Sequence, residues 1–233
     1  MTKENLINEL TKLGIKEPNN VASKLEMIME DTLATNKEFN LTAIKDEEKF
    51  RELMLLDSVY PYLYVNFDNK KIIDVGTGAG YPGMVLATLS NSEITLLDST
   101  GKKVEFCKKI AAKMGYNHVN CVCDRAESYV KNHRETYDIA TARAVSDLRV
   151  LLELVLPLIK VNGYFIALKG SKGLEELNSS KNALEKLGAV VEKIDEFELP
   201  ESKEKRINIV IKKIKETPIK YPREYAQIVK KPL

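Results

Sequence analysis

A glycine-rich turn between a short apolar run and a helical segment constrains the fold of this chain more than any other feature. Ile72–Val75 is apolar apart from Asp74, and three glycines follow within five residues, at positions 76, 78 and 80. Glycine is required where the backbone takes a positive φ or where a ligand approaches with no Cβ in between. Free amides at the start of the next helix suit a polar or anionic ligand group. The segment therefore predicts a strand, a ligand-binding turn and a helix.

Short apolar runs alternate with amphipathic stretches from Lys71 onwards. Five runs are predicted as strands: Ile72–Val75, Ile94–Leu97, Val119–Val122, Tyr137–Ala142 and Tyr164–Leu168. Helical stretches lie between them, at Tyr81–Leu89, Lys102–Met114 and Leu148–Ile159. Strands that alternate with helices of about 10–15 residues predict a parallel sheet covered on both faces.

The later part of the chain predicts an antiparallel pair. A helix over Leu174–Leu187, ended by Gly188, precedes strands at Ala189–Phe197 and Arg206–Ile214. The loop between these strands is too short for a parallel crossover, so we expect an antiparallel pair at the sheet edge. The predicted fold class is α/β and Rossmann-like: a mostly parallel seven-stranded sheet with an antiparallel last strand, as in methyltransferases that use S-adenosylmethionine (AdoMet).

Three regions are predicted along the chain: an N-terminal helical segment (1–68) packed on the catalytic domain, a methyltransferase domain (69–215) and a basic C-terminal tail (216–233). Apolar residues recur at helical spacing over Asn5–Leu13, Val21–Phe39 and from Asp46 towards Leu56. The last 31 residues hold ten Lys or Arg against three Glu, a net charge of +7, which leaves −5 on the other 202. This charge favours a polyanionic partner, although a solubilising tail has the same composition.

Composition and targeting signals argue against several classes. The first ten residues contain no apolar signal core, and the longest uncharged apolar run, about Val155–Ile159, is far shorter than the roughly 20 residues of a membrane span. Three cysteines do not make a disulfide framework, and with only His118 and His133 as imidazoles we expect no metal site. We expect a cytoplasmic protein that is not associated with a membrane.

Two cofactors fit the glycine turn. Gly78–Gly83 satisfies GxGxxG, and Asp98 ends the second strand, where a carboxylate accepts hydrogen bonds from ribose hydroxyls. NAD fits this pattern, but Pro82 lies inside the triplet and the chain has no Tyr-x-x-x-Lys pair for hydride chemistry. AdoMet has no pyrophosphate, and its site needs only the glycine turn, a carboxylate that binds the ribose hydroxyls and a pocket for the adenine. We expect AdoMet, bound by Gly76, Gly78 and Asp98, and keep an NAD-linked oxidoreductase as the alternative.

The absence of two motifs restricts the kind of atom that can accept the methyl group. The fourth strand leads into Ala140–Val145 and not into the Asn/Asp-Pro-Pro-Tyr/Phe motif that holds an exocyclic amine. None of the three cysteines follows a proline in a strand-end loop, so we do not expect thiol attack on a pyrimidine carbon. The remaining chemistry is direct transfer of the methyl group to an atom that is already nucleophilic. Guanine N7 is such an atom, because its lone pair is free. No catalytic base is assigned.

Nine segments match one known family in order. They are Asn40–Ile44, Asp57-Ser58, Asp74–Gly83, Leu97–Ser99 with Lys102-Lys103, Arg125–Glu127, Ala142–Val145, Leu168–Gly170, Arg206, and Lys220–Arg223 with Lys231–Leu233. With them the chain resembles the bacterial 16S ribosomal RNA guanine-N7 methyltransferase G family, also called glucose-inhibited division protein B. The resemblance implies transfer from AdoMet to one guanine N7 in the 530 loop of 16S rRNA. The partner is then 16S rRNA, as a 30S subunit or precursor particle, and we expect a monomer.

The resemblance also implies site residues. AdoMet contacts fall on Gly76, Tyr81, Ala126, Glu127 and Arg143. Arg143 is expected at the end of the fourth strand, at the edge where open α/β sheets bind ligands. There it binds the AdoMet carboxylate or a target phosphate; the alternative is a surface ion pair. We expect RNA contacts from Lys169, Arg206, Arg223, Lys230 and Lys231. The alternative for Lys169 is a structural role. Tyr221 and Tyr225 could stack on unpaired bases, and the alternative for them is packing of the C-terminal tail.

Four positions depart from the family pattern. Met54 stands in place of the usual His and Leu53 in place of Arg, Tyr81 replaces Phe, and Ala226 replaces Gly. The Met54 change weakens any role for a histidine in catalysis and is the support for an alternative, a catalytically silent rRNA-binding factor. A small-molecule methyltransferase is a further alternative, which the basic C-terminal residues disfavour.

Overall fold

The computed structural model describes residues 1–143 and 146–233. The strands are β1 (Lys71–Val75), β2 (Glu93–Asp98), β3 (Val119–Cys123), β4 (Tyr137–Arg143), β5 (Ile159–Lys169), β6 (Ala189–Glu198) and β7 (Lys205–Lys213). The helices are α1 (Lys3–Lys12), α2 (Pro18–Asn36), α3 (Glu47–Phe50), α4 (Gly83–Leu89), α5 (Gly101–Met114), α6 (Ala126–His133), α7 (Leu148–Val155), α8 (Gly173–Asn178), α9 (Lys181–Leu187) and α10 (Tyr225–Lys230). A π-helical turn at Arg51–Leu56 continues α3, and 3₁₀ turns lie at Tyr60–Leu63 and Leu156–Leu158. Ala144 and Val145, the end of the matched segment Ala142–Val145, lie outside the described residues.

The seven strands form one sheet in the order β3-β2-β1-β4-β5-β7-β6. The pairs among β1 to β5 are parallel, whereas β7 is antiparallel to both β5 and β6. The predicted fold class is therefore confirmed, including the antiparallel last strand. β1 has β2 on one side and β4 on the other, so the strand order reverses there, and the carboxyl ends of β1 and β4 open the crevice where such sheets bind ligands.

Each face of the sheet has its own hydrophobic core. On one face Leu25 and Met29 of α2 pack with Leu86 of α4 and Ile110 of α5, so the N-terminal helices share a core with the sheet. On the other face α7 and α9 supply the buried side chains, among them Leu151. The division of the chain into regions 1–68, 69–215 and 216–233 remains a prediction.

The predicted helix over Leu174–Leu187 was wrong in one respect, because the structure breaks it into α8 and α9. Ser179 Oγ donates to Glu175 O at 3.1 Å and Ser180 Oγ to Glu176 O at 2.7 Å. Serine hydroxyls that bond these carbonyls compete with the helical amides and favour an interruption. Gly188 ends α9 at φ 79°, as predicted.

The C-terminal residues lie against the sheet-and-helix body. Arg134 donates to the backbone carbonyls of Thr217 at 2.6 Å and Tyr221 at 2.9 Å. Ile228 of α10 is fully buried in the core that contains α7. Much of the basic charge after Lys203 is thus carried on β7 and on a packed segment. In the part of the chain that the structure describes, every helix is too short or too polar to cross a bilayer.

Candidate active site

The glycine turn takes the left-handed backbone conformation that its sequence predicts. Gly76, Gly78 and Gly80 all have positive φ, at 71°, 61° and 96°. Gly76 N donates to Leu97 O at 2.8 Å, which ties the turn to the end of β2. The chain then enters α4 with its backbone facing the carboxyl edge of the sheet, where a ligand can approach it closely.

Asp74, a fully buried carboxylate at the end of β1, holds both ends of this turn. Its Oδ2 accepts from Thr77 Oγ1 at 2.5 Å and from Gly83 N at 3.0 Å, and its Oδ1 accepts from Thr141 Oγ1 at 3.0 Å. Burial raises the pKa of Asp74, and these hydrogen bonds oppose the rise. Asp74 was not among the predicted site residues, because its sequence position shows the strand and not the three donors.

Gly83 is the glycine whose missing side chain matters most for packing. A Cβ there would meet the side chain of Leu96 and lie 3.0 Å from Asp74 Oδ2. The start of α4 therefore packs directly on β1 and β2, which keeps the turn at a fixed height above the sheet.

Asp98 lies at the end of β2, beside the turn. Its Oδ2 accepts from Gly78 N at 2.9 Å and its Oδ1 from Thr100 N at 2.8 Å. An ionised carboxylate has about four acceptor positions, so each oxygen can also accept a ribose hydroxyl. Asp98 thus fits the predicted role of the carboxylate that binds the ribose hydroxyls, and it also holds the glycine turn in place.

One cavity brings together all the residues predicted to bind the cofactor. Its volume is about 570 Å³, and Gly76, Gly78, Tyr81, Asp98, Ala126, Glu127 and Arg143 all line it. The walls combine backbone of the turn, the Asp98 carboxylate and apolar surface from Leu97 and Ala126. This donor set suits AdoMet, which presents a ribose, an aromatic base and a charged amino-acid end. We call this space the cofactor cavity.

Among the other residues that line the cofactor cavity, two come from parts of the chain to which the sequence assigned no cofactor contact. Met54 comes from the π-helical turn and Tyr225 from α10. Tyr225 is partly exposed at the rim, so the C-terminal residues complete the wall of the site. Neither has a local sequence signal, because each reaches the cavity from an element far away in the chain.

Tyr81 forms the wall between the cavity and the N-terminal helices. Its hydroxyl shares a hydrogen bond with Thr32 Oγ1 at 3.0 Å, and its ring meets Phe50 edge-on at 5.5 Å between centroids. The guanidinium carbon of Arg143 lies 5.9 Å from the centroid of the Tyr81 ring. Burial raises the pKa of Tyr81, which keeps the hydroxyl protonated.

Arg143 is buried at the carboxyl end of β4, its side chain 13% exposed. Nη1 donates to Leu53 O at 3.3 Å and to Ser58 Oγ at 3.1 Å, while Nη2 donates to the Met54 sulfur at 3.2 Å. Burial lowers the pKa of Arg143, and the carboxylate of Asp57 opposes this. Arg143 therefore ties the N-terminal segment to the sheet from inside the site.

A second cavity of about 520 Å³ adjoins the first, since Met54 and Arg143 line both. We call this second space the acceptor cavity. Lys169 and Arg206, two of the predicted RNA contacts, also line it. Lys169 Nζ donates to Ser146 O at 2.6 Å and lies 2.8 Å from a Glu176 carboxylate oxygen. These contacts give Lys169 a structural role at the cavity wall, and its RNA contact stays a prediction.

The other predicted RNA contacts lie outside both cavities. Arg223 forms a two-pronged ion pair with the fully buried Glu153, at 2.8 and 2.6 Å. The hydrogen bonds that Arg223 donates to Glu153 raise the pKa of Arg223 and occupy its guanidinium. Lys230 and Lys231 are exposed. Contacts of all three with RNA stay predictions.

Acidic, thiol and imidazole side chains do not gather into a metal centre in the described structure. Within residues 1–143 and 146–233, no three His, Cys, Asp or Glu side chains lie together as a metal site requires.

Comparison with known proteins gives one family. The sequence model of GidB, described as rRNA small subunit methyltransferase G, matches residues 21–210. A protein of Staphylococcus epidermidis named ribosomal RNA small subunit methyltransferase G is 40% identical over 236 residues, covering 100% of this chain and 99% of its own. A protein of the same name from Fusobacterium nucleatum is 40% identical over 225 residues, with 96% and 97% covered.

Solved structures agree on the fold. A SAM-dependent methyltransferase from Aquifex aeolicus has a TM-score of 0.57 at 17% identity, over 78% of this chain and 98% of its own. The YcgJ protein of Bacillus subtilis has a TM-score of 0.54 at 15% identity, over 70% and 99%. At these identities the likeness shows the AdoMet-dependent methyltransferase fold, and the sequence matches show the family. The chain belongs to the rRNA small subunit methyltransferase G (GidB) family.

Proposed function

We propose that this chain transfers the methyl group of AdoMet to N7 of a guanine in the 530 loop of 16S rRNA. The observation that carries the proposal is the cofactor cavity, where the glycine turn, Asp98 and Arg143 line one space that adjoins the acceptor cavity. The rRNA methyltransferases to which the chain is about 40% identical support the substrate class.

The residues that line the cofactor cavity fit the three parts of AdoMet. AdoMet, when bound, supplies an electrophilic methyl group on a sulfonium. Asp98 would accept the ribose hydroxyls, and Ala126 with Glu127 would face the adenine. The backbone at Gly76 and Gly78 would allow close approach of the amino-acid end, whose carboxylate would pair with Arg143.

The transfer needs positioning and no general base. The lone pair of guanine N7 forms the new bond to carbon, the sulfur–carbon bond breaks, and its electron pair returns to sulfur. No proton leaves the guanine, and one positive charge moves from sulfur to the purine ring. Rate enhancement then comes from holding the reacting atoms in line, which the fixed turn and the buried Arg143 provide.

The RNA is held by charge. We expect phosphate contacts from the exposed Lys230 and Lys231 and from Arg206 at the wall of the acceptor cavity, with a smaller contribution from Arg223, which is paired with Glu153. Such contacts weaken as salt rises. We propose that the protein acts as a cytoplasmic monomer on a 30S subunit or its precursor, with regions 1–68, 69–215 and 216–233 as its structural units.

The test measures methyl transfer from labelled AdoMet to 16S rRNA, given as naked RNA and as 30S subunits that lack the modification. Cleavage at N7-methylguanine then maps the product, and we expect one labelled guanine in the 530 loop. Asp98→Asn should lose AdoMet binding, whereas Asp68→Asn, an exposed residue away from both cavities, should behave as the unchanged protein. AdoMet binding without transfer to either substrate would overturn methyl transfer to rRNA and favour a small-molecule methyltransferase or a silent rRNA-binding factor.

A further inference from the structure

We propose that Asp57 recognises the target guanine, accepting hydrogen bonds from its N1–H and its 2-amino group in the acceptor cavity. This inference rests on the proposed function and names the residue that selects the base. In the sequence Asp57 appears only in the matched Asp57-Ser58 pair, directly after the helical stretch that runs from Asp46 towards Leu56.

Asp57 is a buried carboxylate with unused hydrogen-bonding capacity. It follows the π-helical turn, and its side chain is 5% exposed. Oδ2 accepts from Arg206 Nε at 3.0 Å. Oδ1 is buried, and the described residues offer it no hydrogen-bond donor. A buried carboxylate oxygen without a donor is destabilising. A ligand that donates a hydrogen bond to this oxygen therefore removes that cost when it binds.

The acceptor cavity supplies the rest of a guanine site. Asp57 lines it together with Arg206 and Lys169, and the whole lining holds three cations and three carboxylates, the others being Arg143, Glu176 and Glu204. Guanine presents two donors, N1–H and the 2-amino group, next to one acceptor, O6. A lysine carries three N–H donors; within the described part of the chain Lys169 directs its ammonium at Ser146 and Glu176, which leaves one N–H for O6. Adenine has an acceptor at N1 and no 2-amino group, so it offers Asp57 neither donor.

The placement of Asp57 suits the atom that is methylated. N7 lies on the imidazole ring, away from N1 and the 2-amino group, so a guanine held at Asp57 keeps N7 free. Met54 and Arg143 line both cavities, so the two spaces meet beside these side chains, and N7 would reach the methyl group there.

The carboxylate also matches the charge that develops. Methylation makes the purine ring positive, and the N1–H becomes a stronger donor as the charge grows. A fixed carboxylate that accepts this hydrogen bond therefore binds the transition state more tightly than the neutral base. Arg206, which donates to the same carboxylate, is then a positioning residue for Asp57.

The experiment compares two bases in two proteins. The substrate is 16S rRNA in 30S particles, assembled with guanosine or with inosine at the mapped target; inosine lacks only the 2-amino group and keeps N7 and N1–H. For the unchanged protein we expect kcat/KM to fall about tenfold to a hundredfold with inosine, the range of a hydrogen bond to a charged group. For Asp57→Ala we expect a low kcat/KM that is the same for both bases.

Controls separate a specific role from a structural one. Asp57 also pairs with Arg206 and Arg143, so we expect a lower thermal midpoint for Asp57→Ala than for Asp68→Asn. The readout is therefore the ratio of the guanosine rate to the inosine rate at saturating AdoMet, which a loss of stability alone does not change. Asp57→Asn provides the isosteric comparison if the alanine variant does not fold. Equal rates for guanosine and inosine in the unchanged protein would overturn the inference without any variant. An unchanged preference for guanosine in Asp57→Asn or Asp57→Ala would overturn it too. Absence of transfer to guanosine by the unchanged protein would instead overturn the proposed function.

Discussion

The Nη2 of Arg143 donates to the thioether sulfur of Met54 across 3.2 Å, and both side chains form the wall between the cofactor and acceptor cavities. Sulfur is a weak acceptor, so this contact orients the guanidinium without neutralising it. Nη1 is held separately by the N-terminal segment. Met54, one of the four residues that depart from the family pattern, therefore touches the site directly, through an arginine that also has other hydrogen-bond partners.

Replacing Met54 tests whether the site needs a base. Met54→Leu keeps the volume and removes the acceptor, and we expect kcat/KM to fall by only about threefold, in keeping with a weak hydrogen bond. Met54→His should also change the rate by no more than this, because no proton leaves guanine N7. Methyl transfer under subsaturating RNA measures both. A rise of about a hundredfold or more in Met54→His, the size of a general-base contribution, would show that a base had been missing.

Gly83→Ala should destabilise the protein and weaken AdoMet binding. The new Cβ would overlap Leu96 and crowd Asp74, and overpacking of this kind costs about 1–3 kcal/mol. The matched variant is Gly101→Ala at the start of α5, where the nearest atom to a Cβ is Cys123 Sγ at 3.9 Å. Its free energy of unfolding should stay level or rise slightly. Urea denaturation and calorimetry with AdoMet compare the two variants; similar losses in both would refute the packing argument.

The stability contributed by Asp74 should fall as the pH rises. Burial raises its pKa above the ordinary value of 3.8. A carboxyl group whose pKa is higher in the folded state stabilises fully below its unfolded pKa, and this stability is lost as the pH rises through the folded pKa. The free energy of unfolding of the unchanged protein, minus that of Asp74→Asn, should therefore decrease from about pH 4 to neutral pH. A difference that grows with pH would mean that the hydrogen bonds from Thr77, Gly83 and Thr141 outweigh burial.

Arg223→Met should act on stability more than on RNA binding. Among residues 1–143 and 146–233, it leaves the fully buried Glu153 with the backbone amide of residue 223 as its one remaining donor, at 2.9 Å. Removal of one partner from such a pair costs about 3 kcal/mol or more when both ions are buried, and somewhat less here because Arg223 is partly exposed. Chemical denaturation measures the loss, and a value below about 1 kcal/mol would place the pair among ordinary surface ion pairs.

The comparison for Arg223 is a double change of Lys230 and Lys231 to Ser. Both lysines are exposed, so the free energy of unfolding should change by less than about 0.5 kcal/mol. The slope of log affinity for rRNA against log salt should become shallower, by roughly 0.7 for each phosphate of single-stranded RNA that a lysine no longer neutralises. An unchanged slope would remove these lysines from the RNA surface.

The parts of the fold set by local pattern could be predicted from the sequence. The alternating apolar runs predicted β1 and β2 to within a residue, and the positive φ angles of Gly76 and Gly78 follow from the turn that glycine permits. The break between α8 and α9 could not be predicted, since Ser179 and Ser180 are compatible with a helix until their hydroxyls bond a particular partner.

The contacts that make the site specific join residues far apart in the chain. Asp57 and Arg206 are separated by 149 positions, and Arg143 lies 89 from Met54. Hydrophobic period and motif spacing describe one element at a time, and they contain no information on which elements meet. A residue such as Tyr225 therefore shows its place in the cofactor cavity only once α10 is packed.

The position of β7 has a consequence for how the chain is made. β7 is the last strand in sequence but lies inside the sheet, between β5 and β6. Until residue 213 has left the ribosome, β5 ends in a row of unpaired backbone groups, and β6 has no neighbour. Such an open edge attracts other strands, so chains that stop before Lys205 should aggregate during synthesis. Arg206 arrives on the same strand, and the acceptor cavity is thus completed in the step that closes the sheet.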